Sequence, residues 1–154
     1  MAMKRGMLLA VLMVVSSVGA VMATHNAVGL TTLATWRGTM DREDLRTFRN
    51  ELAPMSQGST DLFVVRASLA GGGTTAWHGH TGPSIVLVTE GTLEVTQVSA
   101  SGRCDTATYR KGEAFFHTER SHTFVNPSAT TAEFVVTYFV PAGSPVTHPP
   151  APAC

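Results

Sequence analysis

The sequence is short of charge and short of cysteine, and both shortages constrain it. Only 14% of its 154 residues are charged, acids and bases are equal in number, and the formal net charge is zero. With no basic patch, nothing points to nucleic acid as a partner. The two cysteines, Cys104 and Cys154, form no CxxC pair, and no Ser-His-Asp order stands out. Gly71-Gly72-Gly73 leads into a strand with no helix behind it, so it is not a phosphate-cradling loop. The apolar span from Met7 to Met22 is 16 residues, shorter than the roughly 20 that a membrane-crossing helix needs. From Asp61 onward no helical periodicity appears.

That N-terminal span has a different meaning. Lys4 and Arg5 precede an apolar run from Met7 to Val15, and small residues follow at Ser16, Ser17, Gly19 and Ala20. A positive start, a short apolar core and a small-residue exit describe a secretory signal peptide over residues 1–23. Val21-Met22-Ala23 offers a cleavage site before Thr24, and no cysteine lies nearby to anchor a lipid. The alternative is an uncleaved membrane anchor. Cleavage would remove Lys4 and Arg5, leave the mature chain mildly acidic and place it outside the cell or in the periplasm. In such a compartment an even pair of cysteines reads as one disulfide, Cys104–Cys154. Closing a loop of about 50 residues would be worth roughly 4 kcal/mol on the chain-entropy model. Two free thiols, or an intermolecular bond from the terminal Cys154, are the other possibilities.

Residues 24–60 read as an N-terminal strand and a covering segment. Residues 24–30 show no pattern, and Thr31–Met40 is rich in β-branched residues and predicts a first strand. Asp41–Leu52 carries Leu45, Phe48 and Leu52 at helical spacing behind Asp41, Glu43 and Asp44, a short amphipathic helix or an irregular cover. Residues 54–60 read as a loop. From Asp61 the period is two. Predicted strands cover 61–69, the His78–His80 stretch, 84–90, 92–99, 105–110, 113–117, 121–126 and 131–140, with turns between them, Gly71–Gly73 among these. Short strands between frequent turns indicate an all-β domain, a single antiparallel sandwich or barrel over 61–141. Residues 141–154 hold five of the eight prolines. That composition predicts a Pro-rich tail with no paired strand, tied back through Cys154.

The chemistry gathers at Gly72–Gly91. His78 and His80 are one pleat period apart on a strand, so they project from one face about 6.5–7 Å apart. Two imidazoles on one rigid face suit a metal, and a third ligand should then come from a distant strand. Gly112–Asn126 supplies His122 and, four residues on, Asn126. With these residues the chain resembles the cupin superfamily, small antiparallel β-barrels carrying two linked motifs. Gly72, His78, His80 and Gly91 fall at the spacing of the first motif. Gly112, His122 and Asn126 fit the second, with the Gly-to-His interval one residue short. The resemblance covers about residues 61–141. Trp77-His78-Gly79-His80, Gly82-Pro83-Ser84, Cys104 and the PPAPAC ending also resemble small exported bacterial cupins.

Two departures from that pattern matter. The first motif's carboxylate position holds Ser84, and the second motif's Pro and Gly are absent, with Thr118 and Arg120 nearby. The resemblance therefore implies a barrel with a three-histidine metal site, His78, His80 and His122, without the usual Glu. Three neutral imidazoles with open positions suit Zn, Fe, Mn, Ni or Cu. His117 is an additional candidate ligand, though a surface or supporting role fits its position better. Ser84 reads as a pocket-wall residue. Tyr138, with Phe134 and Val136, shares one face of the last strand and would line the barrel, while Trp77 and Gly79 face away from the two histidines. His25 and His148 lie in terminal segments and carry no argument. Three functions fit: a metal-binding protein with a small molecule in its barrel, a metal-dependent oxygenase or isomerase, or a metal-free structural or interaction barrel. A homodimer is a further possibility, and no membrane partner is expected once the leader is gone.

Overall fold

Alternation of buried and outward side chains decides how each strand faces. The computed structural model describes residues 27–40, 59–99, 101–118 and 120–148, and no helix occurs among these described residues. The strands are β1 (Val28–Met40), β2 (Thr60–Thr74), β3 (Gly79–His80), β4 (Ser84–Glu90), β5 (Thr92–Val98), β6 (Cys104–Arg110), β7 (Ala114–His117), β8 (His122–Val125), β9 (Ala132–Pro141) and β10 (Thr147–His148). Eight of them form one antiparallel sheet in the order β6-β5-β8-β2-β9-β4-β7, with β1 on the second edge of β2. This is the all-β, nearly closed barrel that the short alternating strands indicate.

β2 holds the sheet together because it is long enough to serve three partners. Residues Thr60–Leu69 pair with β9, Val28–Met40 pair along its other edge, and Thr74 hands over to Val125 of β8. Its inward residues Phe63, Val65, Ala67 and Leu69 are buried. They pack with Val86 and Val88 of β4, Leu93 and Val95 of β5, Phe124 of β8, and Phe134, Val136 and Tyr138 of β9. Each fully buried aliphatic or aromatic side chain contributes about 1.5–3 kcal/mol relative to exposure. This row-by-row burial is what fixes the register, since a slip of one residue would turn each inward row to solvent.

The structure corrects three expectations. The first strand begins at Val28 rather than Thr31. The triplet Gly71–Gly73 is not a turn but lies inside β2. A Cβ at Gly71 would stand 2.4 Å from Ala129 O, and one at Gly73 2.7 Å from Val28 O, so the glycines admit neighbouring backbone rather than reverse the chain. The Pro-rich segment after Pro141 also contains a paired strand. Thr147 and His148 of β10 pair with His80 and Gly79 of β3, the prolines flanking the pair rather than falling in it. The leader, the Asp41–Leu52 pattern and Cys154 lie outside the described residues.

Asn126, the last residue of the second motif, is a hub of the frame. Fully buried, it donates from Nδ2 to Leu69 O, Ala70 O and Thr130 O. Its Oδ1 accepts from the backbone N–H and the hydroxyl of Ser128. The amide thus ties the turn after β8 to the end of β2, which sets where β8 carries His122. Gly82 fixes the other side: a Cβ there would meet Phe139 O at 1.9 Å, so only glycine lets the chain pass from His80 into β4 at this separation.

Candidate metal centre

His78 and His122 face each other as an isolated antiparallel bridge. Each donates its backbone N–H to the other's carbonyl, at 3.0 and 2.9 Å. A directly opposed pair of this kind holds two side chains on one face at fixed separation. His80 follows one pleat period later in β3 and comes to the same face. The ring centroids lie 4.3 Å apart for His78–His122, 4.9 Å for His78–His80 and 5.0 Å for His80–His122. One ligand nitrogen from each of the three lies within 4.8 Å of the others, and all three residues are buried.

The backbone chooses the tautomers. Nδ1 of His78 lies 2.9 Å from Ala76 O, Nδ1 of His80 3.3 Å from Val146 O, and Nδ1 of His122 2.8 Å from Arg120 O. A carbonyl only accepts, so each Nδ1 carries the proton and each Nε2 carries the lone pair. This is the arrangement by which a carbonyl orients a metal-binding imidazole. Ala76 adopts a left-handed φ of 56°, uncommon for a residue with a side chain, in the segment that brings its carbonyl to His78.

The fit to an ion rests on the third nitrogen. Nε2 of His122 is buried and has no hydrogen-bond partner. A buried acceptor left unpaired costs about 1–3 kcal/mol, and a bound cation would satisfy it. Burial, and secondarily the neighbouring His117, His78 and His80, hold the His122 imidazole well below the usual range. At neutral pH it therefore stays uncharged, the form that ligates. The donor set is three neutral nitrogens with no carboxylate among them, which suits a borderline transition ion rather than Ca²⁺ or Mg²⁺.

The remaining candidates take up positions around this trio. His117 is buried against it, not on the surface, with its ring centroid 4.1 Å from that of His122. Burial pushes its pKa down to about 4. Ser84 is fully buried and its hydroxyl lies 2.8 Å from Nε2 of His117. In the sheet Ser84 is flanked by His117 on β7 and Tyr138 on β9. Tyr138 is buried, its ring 4.6 Å from that of His80, and burial raises its phenol, so it remains protonated. Phe124 closes the apolar side, 5.4 Å from His122. Cys104 opens β6 on the exposed edge of the sheet, and the bridge expected with Cys154 lies outside the described residues.

What the sequence did not disclose is the supporting backbone. The carbonyls of Ala76, Arg120 and Val146 orient the three imidazoles, and every residue type carries a carbonyl. Val146, buried beside β10 in the segment read as a tail, has no marker beyond being an apolar residue among prolines.

Residues 65–138 match the family model described as Cupin domain. No curated protein matches the sequence. Among solved structures, oxalate decarboxylase from Bacillus subtilis aligns with a TM-score of 0.54 at 18% identity, covering 82% of this chain and 30% of that one. Oxalate oxidase in complex with glycolate aligns with a TM-score of 0.51 at 22% identity, covering 77% of this chain and 61% of that one. Peruvianin-I, a cysteine peptidase from Thevetia peruviana latex, gives 0.50 at 22% identity, with 56% and 54% covered. This chain thus spans 30 to 61% of the length of these structures, and the likeness is one of fold.

Proposed function

This chain belongs to the cupin superfamily, and from that membership and the geometry of its buried histidines we propose that it binds one divalent transition metal and a small molecule beside it. His78, His80 and His122 would hold the ion through Nε2, with Zn, Fe, Mn, Ni or Cu all compatible with the donors. The observation that carries the reading is the buried, unpartnered Nε2 of His122. When bound, the ion supplies a Lewis-acid centre with positions left for a ligand. The chain's own part is to exclude water with Phe124 and Phe134, to orient three imidazoles through the backbone carbonyls at their Nδ1 atoms, and to present the uncharged polar groups of Ser84, His117 and Tyr138.

Binding is favoured over turnover because the polar residues named in this pocket are uncharged and the family's carboxylate position holds Ser84. The enzyme reading, an oxygenase or isomerase, needs only open positions on the ion and is tested by oxygen consumption over a panel of small organic acids and phenols. A metal-free barrel leaves the buried Nε2 of His122 unexplained. Elemental analysis of the purified protein decides between them. About one equivalent of metal is expected in the wild type and almost none in His78→Ala/His80→Ala; a wild type that is metal-free and takes up nothing from a metal panel sinks both metal readings.

We also propose that the protein is exported, bridged by Cys104–Cys154 and dimeric. The dimer follows from an outward row crossing five strands, Trp36–Val64–Thr137–Ile85–Phe116. Trp36 and Phe116 at its ends are 57% and 52% exposed. Beside the row, Arg66 is neutralised by Glu133 at 2.6 Å. A two-fold axis places such a face against itself, which a neutral apolar face tolerates and a charged one does not. Mass spectrometry reads all three proposals. A chain starting at Thr24, a gain of two hydrogens on reduction, and twice the chain mass under native conditions are expected; an intact leader, an unchanged mass on reduction, or a monomer overturns the respective point.

A further inference from the structure

The polar chemistry of the pocket does not stop at the histidines. His78 stands opposite His122, His122 opposite Gln97 of β5, and Gln97 opposite Asp105 of β6. Directly opposed residues of antiparallel strands project from the same face. The four side chains therefore form one row, and its face is the inner one. Leu93 and Val95, which share a face of β5 with Gln97, are buried in the core. Tyr109 and Ala107 of β6 stand opposite them, and Tyr109 packs against that core. Burial falls off along the row: His78 and His122 are buried, Gln97 is half-buried and Asp105 is exposed.

The gap in the barrel accounts for that gradient. β6 and β7 end the sheet order and do not pair with each other. Tyr109 and Phe115 stack across them, with ring centroids 4.2 Å apart, and beyond this stack no ladder joins the two strands. Solvent thus reaches the inner face of β6 at Ala107 and Asp105, both exposed. Among the described residues Asp105 has no ion-pair partner. It stands in line with the histidines and braces no other strand.

We propose that the small molecule lies along this row, with its metal-bound end against Gln97 and a protonated amine at Asp105. The proposal rests on the metal-binding reading above and names the ligand class, a small acid with an amine at its far end. Three neutral imidazoles leave the charge of a divalent ion uncompensated, which favours an anionic group at the open position. Gln97 is the cross-strand neighbour of His122, with Cβ atoms about 4.5–5.5 Å apart. Its amide can donate to a carboxylate bound beside that imidazole. Asp105 lies two strand spacings from His122, about 9–10 Å. As the one acid of the row, it selects a cationic group at that distance.

The test titrates 4-aminobutanoate, 6-aminohexanoate and their amine-free counterparts butanoate and hexanoate into zinc-loaded wild type, Asp105→Asn and Gln97→Leu by calorimetry. In wild type an amino acid should bind about fivefold tighter than the alkanoate of its own length, the scale of a solvent-exposed ion pair. Added salt should shrink that advantage. Asp105→Asn should lose the preference and keep the alkanoate affinity. Gln97→Leu should weaken both series by about tenfold, as loss of a hydrogen bond to a charged group does, with zinc content unchanged. Zinc-loaded wild type that binds neither series, or both equally, overturns the proposal and leaves the metal reading standing. So does an amine preference that survives Asp105→Asn. A wild type that takes up no zinc sinks the metal reading and the proposal together. Asp105 is exposed, so its variant decides the matter even where Gln97→Leu fails to fold.

Discussion

Replacing His122 by leucine is expected to abolish metal binding while leaving the apo protein about as stable as the wild type. The two halves of this outcome come from one atom. Nε2 of His122 is buried without a hydrogen-bond partner, so the apo wild type already bears a penalty of about 1–3 kcal/mol that leucine removes. Leucine has similar bulk and would sit among the rings of Phe124, His78, His80 and His117, so no large cavity opens. The backbone exchange between His78 and His122 does not depend on the side chain and persists. What is lost is the Nδ1 bond to Arg120 O, worth about 1 kcal/mol, and Arg120 is exposed enough for water to replace it. Metal affinity should fall by more than a hundredfold, because the two remaining imidazoles lack their third partner. Competition titration gives the affinity, and urea midpoints of metal-free samples give the stability. A leucine variant destabilised by about 3 kcal/mol or more would show that His122 is a core-packing residue with no reserve for an ion, and would count against the metal centre. This is the pattern expected where a site is held in readiness at the expense of stability.

How much of this was legible in the sequence depends on whether the deciding contact is local. β4 and β5 match their predicted ranges closely. Continuous apolar residues from Ile85 to Val88 and alternation from Leu93 are local signals, and Gly91 at a φ of 73° supplies the turn between them. The trio was legible for the same reason, as His78 and His80 share a pleat face and His122 lies at a recognisable spacing. His117 was not. It follows Phe115 and Phe116, and two adjacent aromatics do not say which faces inward. Pairing of β7 with β4 decides it: Phe116 opposite Ile85 turns outward, and His117 opposite Ser84 turns in. The glycine triplet was misread as a turn because its reason lies elsewhere in the chain, in the backbone of Ala129 and Val28. The short β10 was hidden by proline-rich composition, although its pairing with β3 brings Val146 O to His80. In each failure the sequence element is ordinary, and the information resides in the partner.

Acidification should destabilise the metal-free protein steeply, and at a pH higher than ordinary carboxylate titration would give. Burial holds His117 at about 4 and His122 well below its usual range, against about 6.5 for each in an unfolded chain. Between those values the unfolded chain binds protons that the folded one refuses, so stability rises with pH across the window. The contribution is therefore complete above pH 6.5 and is lost as pH falls toward 4. For His117 alone this amounts to roughly 3 kcal/mol, one pKa unit being about 1.4 kcal/mol, and His122 adds in the same direction. By contrast Glu90, lowered by its bond to Lys111, acts only below its ordinary carboxylate range. Loss between pH 6.5 and 5 thus reports the buried histidines. The expected result is a large fall in the metal-free melting temperature over that interval. It should be reduced in His117→Gln/His122→Leu, which has no buried imidazole at either position to protonate. Bound metal should hold the wild-type melting temperature up until the ligands themselves protonate and release the ion. A metal-free wild type with a flat melting temperature from pH 7 to 5 would mean that these imidazoles are hydrated in solution. The dry pocket on which the unpaired nitrogen of His122 depends would then not exist.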